Sequence, residues 1–329
     1  MSAGAGIGAG LASGLAPARA ASDTAAGGDI WSSEYWAHKG SVKLNLWRKR
    51  AGAPKAEEKP LPVLFLVHGS SFSTRTSYDL QVPGDVDYST MNLFARAGYD
   101  VWTMDHDGYG HSDSSGNNSD IASGVADLKA AIPVVVKETG QPKMHFYGPS
   151  SGSIRAGAYA QVEPERVDRL VLAAFTYKGK DSVEMDRRRK RIEELRANPR
   201  RKRDAGMIRS VYTRDGHAEA YDPALIEAIV ATEMKHGDTI PSGTYLDMAV
   251  NLPLVDPSKV KSPVLMIRGE HDGNSTNDDL LDFFRQLPNG DRQFVILPQT
   301  AHSLGYSKNR HLLWYAVKNF LAAPLPAGS

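Results

Sequence analysis

The 329-residue chain contains no cysteine. That absence excludes disulfides, thiolate nucleophiles and cysteine-held zinc or iron–sulfur centres, and it leaves the redox compartment open. Neither sign of charge is in excess: 39 Lys and Arg stand against 38 Asp and Glu, a formal net charge of +1. Such a balance calls for neither nucleic acid nor an acidic membrane surface as partner. No apolar run is long enough to span a bilayer. There is no internal repeat, no phosphate-cradling glycine loop and no metal-ligand spacing. What the chain does have is 41% hydrophobic and 23% charged residues, enough to bury one large core with an appended insertion.

The most informative stretch is Phe146-Tyr147-Gly148-Pro149-Ser150-Ser151-Gly152, an apolar strand running into G-x-S-x-G and then into a helical pattern. It puts Ser150 on a sharp strand-to-helix turn, where the flanking chains pass too close for a Cβ, so Gly148 and Gly152 are steric requirements of an exposed nucleophile. Pro149 removes an N–H and pushes Gly148 toward extended geometry, which a strand end tolerates.

Other apolar runs end in polar residues in the same way. Leu61 to Val67 has no polar alternation, the mark of a strand covered on both faces, and ends in His68-Gly69-Ser70-Ser71. Tyr99 to Met104 ends in Asp105-His106-Asp107-Gly108-Tyr109-Gly110-His111-Ser112. Pro263 to Arg268 leads to Gly269-Glu270-His271-Asp272, and Gln293 to Leu297 leads to Pro298-Gln299-Thr300-Ala301-His302. Open parallel sheets build their sites at such carboxyl ends. Helical patterns over Tyr88–Ala97, Ile121–Thr139 and Ser153–Ala160 alternate with the strands, predicting a parallel sheet with helices on both faces. Residues 34–38 and 42–47 alternate polar and apolar and predict an antiparallel hairpin at the sheet edge.

Taken together, the H-G loop, the D-x-x-G-x-G-x-S stretch, the elbow and the late G-x-x-D and His loops resemble the α/β-hydrolase-fold superfamily, of the serine carboxylesterase type. The likeness extends over roughly residues 30–325. It implies an α/β class: a mostly parallel central sheet with helices on both faces and a helical cap inserted in the core. The core is expected over residues 29–175 and 261–325, the cap over 176–260.

An ester needs a nucleophile whose proton is taken as the carbonyl is attacked, and an imidazole titrating near the working pH suits that task. Ser150 is the expected nucleophile, His302 the base and Asp272 the carboxylate behind it, with Glu270 as the alternate. The resemblance puts the oxyanion donors at the backbone N–H groups of Ser70 and Ser151, with Ser71 as the alternate. His68 is expected to brace its loop, and Asp105, His106, Asp107 and His111 to form a structural turn, so neither a metal nor a cofactor is implied. The implied substrate is a small-molecule ester; lactones, carbamates, amides, acyl transfer and ligand binding without turnover remain open. Epoxide-hydrolase and dehalogenase chemistry would need an aspartate at Ser150.

Residues 1–28 are mostly Ala, Gly and Ser and reach Ala18-Arg19-Ala20, a small-x-small pattern resembling the cleavage site of an export signal. The expectation is a disordered tail left from such a signal and a periplasmic or secreted protein, with a flexible tail on a cytoplasmic protein as the alternative. The basic runs Arg187–Arg191 and Arg200–Arg203 are interleaved with Asp186, Glu193, Glu194 and Asp204. They are expected to be a solvated helix face, and the apolar residues between them cap core and pocket lining.

Overall fold

The computed structural model describes Met1 and residues 29–82, 84 and 86–324. The expectation for the N-terminal 28 residues therefore falls outside the described residues, Met1 apart. Along the chain the strands are β1 (Ile30–Lys39), β2 (Val42–Ala51), β3 (Val63–Val67), β4 (Asp100–Met104), β5 (Met144–Pro149), β6 (Val167–Ala173), β7 (Arg200–Lys202), β8 (Thr239–Pro241), β9 (Val264–Gly269) and β10 (Arg292–Leu297). Four helices precede the long insertion: α1 (Thr74–Tyr78), α2 (Thr90–Arg96), α3 (Ile121–Thr139) and α4 (Ser151–Val162). Within it lie α5 (Val183–Arg189), α6 (Ile192–Ala197), α7 (Ala205–Thr213), α8 (Pro223–Glu233) and α9 (Gly243–Val250), and α10 (Asn277–Gln286) and α11 (Arg310–Ala322) follow.

Eight strands form one sheet in the order β1-β2-β4-β3-β5-β6-β9-β10. The β1–β2 hairpin is antiparallel and adds antiparallel to β4, and every other pairing is parallel. The unbroken apolar runs have a simple cause. Val63, Phe65 and Val67 of β3 enter a core with α3, α4 and α10, while Leu64 and Leu66 enter a second core with α2 and α11. A strand whose side chains alternate between two covered faces needs apolar residues at every position. Helix α3 has the limits expected from its pattern: the Asp120 side chain accepts from Ser123 N at 2.8 Å, and Gly140 closes it at φ 70°.

Between β6 and β9 the chain leaves the sheet. Ile208, Tyr212, Leu225 and Ile229 of this segment share a cluster with Leu80, Ala301 and Tyr306 of the main body. Both ends of the segment are tied down by buried carboxylates. Asp279, at the start of α10, accepts from the N–H groups of Tyr177, Lys178 and Gly179, and Asp247 of α9 accepts from Ile121 N at 2.8 Å.

Here the structure corrects the reading of the basic runs. Arg187, Arg189 and Arg191 do face outward, paired with Glu184, Asp186 and Glu194. Arg188, however, is buried, and the second run is no helix: Arg200–Lys202 form strand β7, paired with β8. Arg203 is buried against Glu233, whose other oxygen takes the N–H and hydroxyl of Ser73. A run of like charges constrains composition only; which members turn inward depends on partners far away in the chain.

Besides the β2–β4 ladder, a buried ion pair on Asp100, with Arg50 also 3.9 Å away, ties the hairpin to the parallel sheet. Arg48 of β2 donates twice to Asp100 of β4, at 2.9 and 2.6 Å, and its guanidinium lies 4.9 Å from the Trp102 ring centroid. Both partners are buried, so removing one leaves the other uncompensated. Asp100→Ala is expected to cost about 3–5 kcal/mol in urea unfolding, and the double variant Arg48→Met/Asp100→Leu to recover most of that loss. A loss below about 1 kcal/mol in Asp100→Ala would show that the pair is not what holds the hairpin.

Candidate active site

Strand β5 ends at Pro149 and helix α4 begins at Ser151, so Ser150 alone makes the turn, at φ 56° and ψ −130°. Few non-glycine residues occupy that region, and such strain persists only where the surroundings dictate it. They do so here from two sides. Ser150 N–H donates to Ala173 O of β6 at 2.9 Å, and a Cβ on Gly148 would strike the Gly152 carbonyl. A Cβ on Gly152 would strike the carbonyl of Val67, at the end of β3. The pentapeptide is thus a packing requirement between β3, β5 and α4.

The loops after β9 and β10 are bound to each other. His271 N donates to Thr300 O at 3.0 Å, Glu270 N donates to Leu297 O at 2.9 Å, and a Cβ on Gly269 would collide with the Thr300 and Ala301 carbonyls. These contacts bring His302 between the two other predicted residues. Its Nε2 lies 3.0 Å from Ser150 Oγ and its Nδ1 2.8 Å from Asp272 Oδ1. Asp272 is buried, and burial raises its pKa. The electrostatic attraction and hydrogen bond between it and His302, the Asn274 N–H and Arg268 together outweigh burial and hold it below its ordinary value. Glu270, the alternate, does not reach His302; it is exposed and accepts from Gln299 N at 2.8 Å.

Ser70, Ser71 and Ser150 border one cleft with His302, and Ser151 begins helix α4 beside them. Ser70 Oγ sits 2.6 Å from Ser151 Oγ and accepts from Thr244 Oγ1 at 2.8 Å, while Tyr109 OH donates to Ser70 O at 3.1 Å. Among the described residues none accepts a hydrogen bond from the N–H of Ser70, Ser71 or Ser151. Ser71 Oγ lies 2.9 Å from Tyr245 OH.

The neighbouring histidines and aspartates serve the scaffold. His68 Nε2 accepts from His106 N at 3.0 Å and its Nδ1 is 2.8 Å from Gly69 O, so it braces the Ser70 loop. Burial, with His106 and Arg155 nearby, pushes its pKa well down. Asp105 accepts from Thr74 N and His111 N, His106 meets Asp127, and Asp107 is held by Lys39 and Ser115 N.

Several residues at the site carried no signal in the sequence. Asn274 Nδ2 lies 3.3 Å from His302 Nε2, Asp215 accepts from His302 N at 3.1 Å, and Tyr221 OH accepts from Ser303 N at 3.0 Å. Only Asn274, two residues past Asp272, had a position that could have pointed to it. The cleft, about 100 Å³ in volume, is walled by Phe72, Val211, Tyr212 and Tyr245 and by two arginines, Arg188 and Arg214. All of these except Phe72 come from the segment between β6 and β9.

Comparison with known proteins agrees with this architecture. A stretch of 88 residues is 39% identical to a 2-hydroxy-6-oxononadienedioate/2-hydroxy-6-oxononatrienedioate hydrolase of Paraburkholderia phymatum; it spans 26% of this chain and 28% of that protein. Among solved structures, a 2-hydroxy-6-oxo-6-phenylhexa-2,4-dienoate hydrolase from Rhodococcus sp. strain RHA1 superposes with a TM-score of 0.64 at 16% identity, covering 90% of this chain and 100% of that one. A carboxylesterase from Bacillus subtilis superposes with a TM-score of 0.60 at 17% identity, covering 90% and 93%. At such identities the likeness speaks for the fold alone. The family model described as serine aminopeptidase, S33, matches residues 86–308, from before α2 to beyond the His302 loop and more than half of the chain, and the chain belongs to that family of α/β-fold hydrolases.

Proposed function

We propose that the chain is a serine hydrolase cleaving a small carboxylic ester through an acyl-enzyme on Ser150. The observation that carries this reading is the unbroken contact series from Ser150 Oγ through the His302 ring to Asp272 Oδ1, at 3.0 and 2.8 Å. His302 Nε2 takes the hydroxyl proton as Oγ bonds to the ester carbonyl carbon. The negative charge then on the carbonyl oxygen meets the unengaged N–H groups of Ser151 and Ser70, with Ser71 as the alternate donor. As the tetrahedral centre collapses, the carbon–alkoxide bond breaks and His302 returns the proton to the leaving alcohol. Water, activated by the same imidazole, releases the acid. Asp272, ionised and buried, keeps the proton on Nδ1 and steadies the transient imidazolium.

The segment over residues 176–260 acts in this reading as a cap: it walls the cleft and confines substrates to small molecules. Export of the protein, which rests on Ala18-Arg19-Ala20, belongs to the same proposal, and N-terminal sequencing of protein from the culture supernatant or periplasm tests it. A second reading draws on the P. phymatum relative, named for a substrate with a 6-oxo group and no ester. Hydrolysis beside a ketone, breaking a carbon–carbon bond, would use the same serine and histidine. A panel of esters, lactones, amides and vinylogous diketones ranks the two readings.

Ser150→Ala should retain its fold and lose at least about 10⁴-fold in kcat on p-nitrophenyl butyrate, and a fluorophosphonate probe should label wild-type protein once, at Ser150. Labelling at Ser151 or Ser153, or full activity in the alanine variant, would end the reading. A burst without turnover would favour a binding protein.

Asp272→Asn is expected to lower kcat by about 10⁴-fold, because the amide favours the wrong imidazole tautomer. Glu270→Gln should cost on the order of tenfold or less, since it only props the Gln299 loop. With folding checked by circular dichroism, the reverse ranking would assign the acid to Glu270.

A further inference from the structure

The segment between β6 and β9 treats its arginines in two ways. On the outside, Arg187, Arg189, Arg191, Arg196 and Arg209 each hold a carboxylate. Three others, Arg188, Arg201 and Arg214, have no carboxylate within ion-pair distance among the described residues. These three converge on one tyrosine. The guanidinium carbons of Arg188 and Arg201 lie 4.8 and 4.0 Å from the Tyr245 ring centroid, and Arg188 and Arg214 line the same cleft as Ser150 and His302.

Arg188 is only 6% exposed, and its polar contacts are the thioether sulfurs of Met248 and Met185, 2.9 and 3.9 Å from Nη1. A thioether is a weak acceptor and cannot offset the burial of a guanidinium. Arg201 Nε and Nη2 and Arg214 Nε are buried with no partner at all. Of the acids nearby, Glu184 is bound by Arg187, and Asp215 accepts from the His302 N–H through Oδ2, leaves Oδ1 unpartnered and acts with Glu184 and Asp272 on Arg214; Arg188 lies within ion-pair distance of none of them. Arg188 is thus a buried guanidinium in the wall of the cleft with no carboxylate beside it, an arrangement that costs stability unless something anionic completes it. Its effect on Tyr245 is visible. Burial raises that phenol's pKa, but Arg201, Arg188 and Arg214, with the Ser71 hydrogen bond, pull it down to about 8. Tyr245 OH in turn touches Ser71, on the loop that borders the serine nucleophile. The cationic cluster is therefore one side chain away from where the reacting carbonyl would sit.

We infer that the substrate carries a carboxylate, held by Arg188 and Arg214 while Ser150 attacks its ester, so that half-esters of dicarboxylic acids and esters of carboxylate-bearing alcohols are the preferred class. The inference rests on the serine-hydrolase reading for the reaction but not for the binding. A guanidinium fork matches a carboxylate with two parallel N–H bonds, and charge-assisted bonds of this kind are about twice as strong as neutral ones. The Tyr245 ring packs against the guanidinium groups of Arg188 and Arg201.

Two length-matched pairs test it, followed by titration of the acid released: monomethyl adipate against methyl hexanoate, which places the charge on the acyl side, and para-acetoxybenzoate against 4-methylphenyl acetate, which places it on the alcohol side. Wild type should prefer the charged member of at least one pair. The charged-to-neutral ratio of kcat/KM should fall about 100-fold in Arg188→Met and about tenfold or more in Arg214→Gln. Fluorophosphonate labelling of Ser150 verifies that each variant is folded. Independently of turnover, adipate dianion should bind the Ser150→Ala protein by calorimetry and fail to bind when Arg188→Met is added. Adipate binding that depends on Arg188, with no ester turned over, would sink the ester reading and leave the anion site standing. Ester turnover with no preference in either pair, or a ratio unmoved by both arginine substitutions, would overturn the anion site and leave the serine hydrolase standing.

Discussion

Everything at the site depends on how closely the start of α4 approaches the ends of β3 and β5. With no Cβ at Gly148 or Gly152, the helix begins against the carbonyls of its neighbours, and Ser150 is forced to a positive φ that turns its hydroxyl away from the sheet. The same approach puts the N–H of Ser151 beside the Ser70 loop, where it is an unpaired helix-terminal donor. One steric condition therefore sets the position of Ser150 Oγ and of the N–H groups beside it. The parallel sheet resists the strain: β5 lies between β3 and β6, and Ser150 itself is tied to Ala173.

Around that turn the buried polar groups fall into two classes. His68 and Asp105 are satisfied within the protein, His106 and Arg203 are each held by a carboxylate, and together they brace the loops around the serine. His302 and Arg188 are not satisfied in the same sense. The imidazole is aimed from Asp272 toward a hydroxyl, and the guanidinium toward a cleft with only thioether sulfur beside it. Buried charge and polarity usually find partners inside a fold.

The segment between β6 and β9 couples the two classes. It is pinned at both ends by Asp279 and Asp247, so its cleft wall stands in a fixed position relative to Ser150. Through Thr244 and Tyr245 it reaches Ser70 and Ser71 directly. Side chains that wall the cleft are in this way joined to the Ser70–Ser71 loop, and a shift in one would be felt by the other.

The sequence by itself determined the order of strands and helices, the doubly covered sheet and the turn that carries Ser150, because these follow from periodicity, from apolar runs and from glycines that are needed wherever a Cβ cannot fit. Helix α3 could be delimited residue for residue, since Asp120 and Gly140 cap it locally. His302 and Asp272 could be placed at strand ends because a parallel sheet gathers its loops at one edge. Only the tertiary structure decided which of Asp272 and Glu270 meets the imidazole, as both lie in one loop and the choice turns on its contacts with the Thr300 loop. It alone separated Arg188 and Arg203 from their solvated neighbours, and it alone brought Asn274, Asp215 and Tyr245 to the site. Burial of a charge is a property of partners distant in the chain, and no local pattern of residues encodes which partners those will be.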